Sequence, residues 1–149
     1  MNRINWGRVI VGGLVAGVLL NVGEWLLHEV VLASRMEAAV AEMGMEPPSG
    51  SDIGIFVAMT FVLGILLVWL YAAIRPRYGA GPRAAIVAGL FGWILLYAFW
   101  LCYNLAWEIF PQDMVMISTI WGFFELPIAT IVGAWLYREE PAAAARASL

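Results

Sequence analysis

The chain reads as an all-α polytopic membrane protein, with four transmembrane helices in an antiparallel bundle. Three observations predict this. Apolar stretches at residues 9–32, 53–74, 84–109 and 114–137 are each long enough to cross a hydrocarbon core of roughly 30 Å at about 1.5 Å per helical residue. The composition is 63% hydrophobic and only 13% charged, with a mean hydropathy of +0.85, well outside the soluble range. The basic residues, all arginine, gather in alternate loops.

Those arginines set the expected orientation. Arg3 and Arg8 precede the first span, Arg75, Arg77 and Arg83 lie between the second and third, and Arg138 and Arg146 follow the fourth. Only Arg35 falls in the other loops, so the positive-inside rule places the N- and C-termini in the cytoplasm. Glu37, Glu42, Glu46, Asp52 and Asp113 lie on the opposite side. Trp6, Trp69, Tyr71, Trp135 and Tyr137 are expected at the cytoplasmic interface, where amphipathic rings anchor. The expected location is a bacterial inner membrane.

Each element has its own signals. Val31-Leu32-Ala33 looks like a signal-cleavage site, but the apolar region before it is too long. It also carries Glu24 and His28, which favours a retained anchor. Residues 34–43 put Met36, Val40 and Met43 on one helical face, predicting a short helix on the outer membrane surface ended by Gly44. Pro47-Pro48-Ser49-Gly50 reads as a turn, with Ser51 or Asp52 capping the second span. Arg75-Pro76 should stop that span, and Gly81-Pro82 should start the third. Pro111-Gln112-Asp113 makes a tight turn before the fourth. The bundle takes residues 1–140 as one domain, and residues 141–149 form a mobile cytoplasmic tail.

A short internal repeat suggests two duplicated hairpins. Val11-Gly12-Gly13-Leu14 aligns with Val87-Ala88-Gly89-Leu90, and Trp69-Leu70-Tyr71 recurs as Trp135-Leu136-Tyr137.

Rotation by about 100° per residue sorts the spans into faces. Gly13, Gly17, Asn21, Glu24 and His28 share one arc of the first span. Ser118, Gly122, Glu125, Ala129 and Gly133 share one arc of the fourth. Lipid gives helices no hydrophobic drive to associate, so small residues mark their contacts; Gly13, Gly17, Gly122, Ala129 and Gly133 are the expected packing positions. In the third span Tyr97, Asn104 and Glu108 share a face, and the second span reads as mostly lipid-facing.

Glu24 and Glu125 are the chemically demanding residues. No lysine or arginine occurs within the four stretches, and His28, four residues after Glu24, is the sole imidazole. Ionised carboxylates in hydrocarbon cost several kcal/mol unless paired or neutralised. The plain reading is that protonated Glu24 and Glu125 are hydrogen-bonding groups that hold helices together. The functional reading is a proton or cation site built from Glu24, His28 and Glu125, with Asn21 and Asn104 as auxiliary ligands, open toward the periplasm.

Other chemistries are limited by composition. A formal net charge of -3 without a basic block argues against nucleic acid. A single cysteine, Cys102, precludes an intrachain disulfide and a Cys-x-x-Cys metal site. One histidine excludes haem held by two, and no cofactor is predicted. If a metal binds, Glu24, His28 and Glu125 are the available ligands, although their Glu-x-x-x-His spacing differs from the Glu-x-x-His of di-iron bundles. Residues 93–107, rich in tryptophan, suit a flat apolar ligand such as a quinone, or simple packing.

Ile4-Asn5-Trp6, the glycine-rich first span, Met43-Gly44, and Trp121 with Trp135 in the last span resemble small four-helix bacterial membrane proteins filed under domains of unknown function. That resemblance implies the architecture and the bacterial inner membrane, and it brings no activity. The function expected first is structural or accessory: a bundle in the lipid bilayer that binds another membrane subunit or its own copy. The alternative is a small proton- or cation-coupled transporter or sensor that uses the Glu/His seam. An enzyme ranks last, because no nucleophile–base pair stands out.

Overall fold

In the computed structural model, residues 4–139 are described. Arg3, Arg146 and the expected tail at residues 141–149 lie outside that range. The described residues are helical with no strand: α1 (Trp6–Leu26), a π-helical segment (Leu27–Val31), α2 (Ala33–Glu42), α3 (Gly50–Tyr78), α4 (Pro82–Trp93), a second π segment (Ile94–Ala98), α5 (Phe99–Trp107) and α6 (Gln112–Trp135). Four continuous helical runs, Trp6–Val31, Gly50–Tyr78, Pro82–Trp107 and Gln112–Trp135, are long and apolar enough to cross a membrane.

The helix ends follow from local chemistry. Asn5 caps α1 by accepting from the Arg8 backbone N–H at 3.1 Å. The cap of α3 is Ser49, ahead of both Ser51 and Asp52. Asp52 instead sits at the third helical position and completes a capping box, accepting from the Ser49 N–H at 2.9 Å. Arg75-Pro76 does not stop α3. A proline removes one backbone donor, and so near the end the remaining turn carries on to Tyr78. Gly79 then closes the helix at φ 83°, a backbone conformation suited to glycine. Gly81 and Pro82 start α4 as expected. Gly44, at φ 64°, lies just past α2.

Glycines let the long helices meet at backbone distance. As numbering rises along α1 it falls along α3: Gly13 lies on Ile65, Gly17 on Phe61, and Asn21 reaches Val57. A Cβ on Gly64 would come within 2.5 Å of the Gly13 carbonyl oxygen. Gly12 of α1 and Gly133 of α6 abut through their backbones, and a Cβ on Gly89 of α4 would lie 2.5 Å from Pro127 Cα in α6. Gly13, Gly17, Gly122, Ala129 and Gly133 are all buried. The second span is more involved than its sequence suggested. Thr60, Gly64, Leu67, Val68, Tyr71 and Ala72 form a buried stripe, and α3 is a principal partner of α1.

The core is built of small and branched side chains, among them Val9, Ala16, Leu20, Val68, Ala85, Ala88 and Leu126. A satellite cluster of Leu27, Leu32, Ala39 and Met114 seats α2 against α6, with Met36 and Trp121 packed on it. Tyr71 and Tyr137 depart from the expected aromatic belt. Both are buried, edge to face at 5.9 Å, and the Tyr71 hydroxyl accepts from the Gly81 N–H at 3.3 Å. Trp6, Trp69 and Trp135 remain exposed.

Candidate functional site

Two spans break their α-helical register where the polar residues gather. A π turn holds one more residue than an α turn and widens the helix locally. In the first break the Leu32 N–H reaches back five residues to Leu27, and in the second the Phe99 N–H does so to Ile94. His28 lies in the first and Tyr97 in the second.

Glu24 joins them. The Tyr97 hydroxyl donates to Glu24 Oε1. His28 Nδ1 lies 2.9 Å from the Glu24 carbonyl oxygen and 3.3 Å from Glu24 Oε2. Both neighbours are acceptors, so Nδ1 carries a proton and donates to them, leaving Nε2 as the titrating nitrogen. The Glu24 side chain is 12% exposed and that of His28 37%. The imidazole meets the Phe56 ring edgewise at 6.4 Å.

Glu125 sits behind this trio. Both its carboxylate oxygens are buried without a hydrogen bond, and so is the Trp121 indole nitrogen. Glu24 and Trp121 are close enough to Glu125 to interact with it, although neither closes a bond of regular geometry. Two glycines make the room. Gly23 leaves space for the Glu125 carboxylate, and Gly122 lies under the Tyr97 ring, where a Cβ would be 2.5 Å from Cε2.

The asparagines have other work. Asn21 Nδ2 donates to the Gly17 carbonyl at 2.8 Å and lies 3.5 Å from that of Val57, which ties α1 to α3. Asn104 is fully buried and exchanges two bonds with the Phe110 backbone, at 2.9 and 2.8 Å, clamping the connection into α6. Neither is drawn to Glu24. Glu108 ends α5 at φ 48° and is exposed. Among the described residues no three His, Cys, Asp or Glu side chains converge as a metal-binding group.

Tyr97 is the site residue that sequence reasoning grouped with Asn104 and left out of the site. An unbroken helix puts the two on one face. In the structure they part: Tyr97, inside the π segment, bonds Glu24, and Asn104, seven residues on, bonds the Phe110 backbone. Its one sequence signal is a hydroxyl-bearing ring deep in an apolar span, a group that seeks a polar partner when buried.

Beside the trio opens a cavity of about 500 Å³. Glu24, His28, Tyr97, Thr60 and Ser118 supply its polar lining, and Leu20, Leu27, Phe56, Met59, Leu96 and Trp100 are among its apolar walls. On the exposed side of α5, Trp100, Tyr103 and Trp107 stack at 6.2 and 6.0 Å between successive ring centres.

No protein-family model, curated protein or solved structure matches this chain.

Proposed function

We propose that this chain is an integral protein of a bacterial cytoplasmic membrane, an antiparallel four-helix bundle with both termini cytoplasmic, whose interior holds a protonatable Glu24–His28–Tyr97 site. The observation that carries the reading is the meeting of those three side chains from two spans at two π segments. Local departures of this kind often accompany functional positions. Glu125 adds a second acid, buried and unbonded, and such groups inside apolar spans commonly mark proton or cation pathways. The bundle senses or carries a proton or cation through this cluster. Gly13 and Gly89, at aligned positions of the repeat, each meet the backbone of a following helix, which supports two duplicated hairpins.

His28 is the only histidine in the chain, so isotope-labelled histidine gives a single titration curve by NMR. Glu24→Gln is expected to move its midpoint by about one pH unit, whereas Glu37→Gln on α2 leaves it in place. Glu24→Gln combined with Glu125→Gln should preserve folding and abolish pH-dependent melting between about pH 5 and pH 8. A midpoint indifferent to Glu24 removes the reading.

A second reading is supported by the ring ladder Trp100, Tyr103 and Trp107. Exposed stacked aromatics suit contact with another membrane subunit or a second copy, the accessory role. Changing Tyr103 and Trp107 to leucine should then abolish cross-linked complexes in membranes without moving the His28 midpoint.

A further inference from the structure

We propose that the opening beside Glu24 admits a lipophilic organic cation sideways from the bilayer, its charge against Glu24 and its apolar body between α3 and the second π segment. This rests on the membrane-embedded acidic site above and names the ligand class that site takes.

Shape is the first argument. α3 packs along α4, but the continuation of that span through the second π segment into α5 does not stay with it. The gap is the cavity of about 500 Å³, within the range of roughly 300–1,000 Å³ that holds drug-sized molecules. Its rim residues Met59, Val62, Leu66 and Leu96 are exposed, at 60%, 45%, 53% and 46%. An apolar rim on the side of a spanning bundle faces acyl chains, so a molecule dissolved in the bilayer reaches the site without crossing the headgroup layer.

Charge is the second. Glu24 is the carboxylate at the base of the cavity, and no arginine lines it. The Tyr97 hydroxyl proton is committed to Glu24, and His28 Nδ1 is shared between the Glu24 carbonyl and carboxylate oxygens. Glu125 adds a second acid within reach of Glu24. Low-dielectric walls focus a field of one sign, which attracts cations and rejects anions. While His28 is neutral, a neutral occupant leaves the Glu24 charge uncompensated. The rings of Phe56, Tyr97 and Trp100 in the lining offer faces suited to a diffuse positive charge.

The test compares tetraphenylphosphonium with tetraphenylborate, ions of like shape and opposite charge. Equilibrium binding is measured on the full chain in phosphatidylcholine nanodiscs, as excess over empty discs. The phosphonium should saturate at one site and the borate should not. Glu24→Gln should weaken phosphonium binding by at least about tenfold, and Leu96→Trp, which fills the opening, should do likewise. Saturable binding of both ions alike, or phosphonium binding indifferent to both substitutions, overturns the proposal. If phosphonium fails to bind while Glu24→Gln still moves the His28 midpoint, the cation route is lost and the protonatable site stands. A midpoint that does not respond to Glu24 counts against the site itself.

Discussion

At Gly122 a missing side chain lets the Tyr97 ring lie flat on α6 and aim its hydroxyl at Glu24. A Cβ there would sit 2.5 Å from Tyr97 Cε2, closer than carbon atoms approach, and the ring would have to move. Gly122→Ala is therefore expected to destabilise the bundle by about 1–3 kcal/mol and to disturb the His28 titration as well. Gly54→Ala, with nothing within 4 Å of the added carbon, should do neither. Unfolding in mixed micelles, followed with the histidine NMR signal, checks both. Gly122 was readable from its place on the small-residue arc of the fourth span. The ring it accommodates was not, because a helical wheel shows which residues of one span share a face and not which side chain of another span meets them.

Among the elements, α3 shows how far local signals reach. Its apolar length and its start in the Pro47–Gly50 region are visible in the chain. Assigning the cap required knowing which serine adopts an extended backbone, and that is Ser49, at ψ 165°. Its hydroxyl accepts from the Asp52 N–H while the Asp52 carboxylate accepts from the Ser49 N–H. Ser49→Ala should cost about 0.5–2 kcal/mol and speed hydrogen exchange in the first turn of α3. Ser51→Ala should change exchange little, since Ser51 meets only the Ser49 hydroxyl. Breaks inside a span leave a fainter trace. Pro127 sits within α6 and the helix continues through it, whereas one π segment forms around His28 and Glu29 and the other in apolar sequence, so no shared composition marks them.

For the whole molecule, the spans and their small-residue faces were legible because hydrophobic length and glycine spacing are written directly in the chain. The pairing of α1 with α3 depends on three-dimensional approach, and so was underestimated. Arg35, the one arginine outside the set proposed as cytoplasmic, forms an ion pair with Asp113 at 2.9 Å. Paired in this way it contributes little net positive charge to its loop, consistent with the orientation proposed above. At the other end Arg75 contacts Glu139 at 3.5 Å and lies over the Tyr137 ring at 5.6 Å. Reporter fusions test the arrangement: alkaline phosphatase joined after Pro48 should be active, and joined after Gly79 it should be silent.

The wide turns at Leu27–Val31 and Ile94–Ala98 also bear on how this protein tolerates changes in length. Each stores one surplus amino acid in a helix that otherwise has none to spare. Trimming a single position there would restore ordinary winding and leave the span intact, with everything beyond the cut near its present place, because the wide turn already absorbs the extra residue. A shortened sibling of this chain would keep its four long apolar helices and their packing faces, and would lose only the local widening beside Glu24.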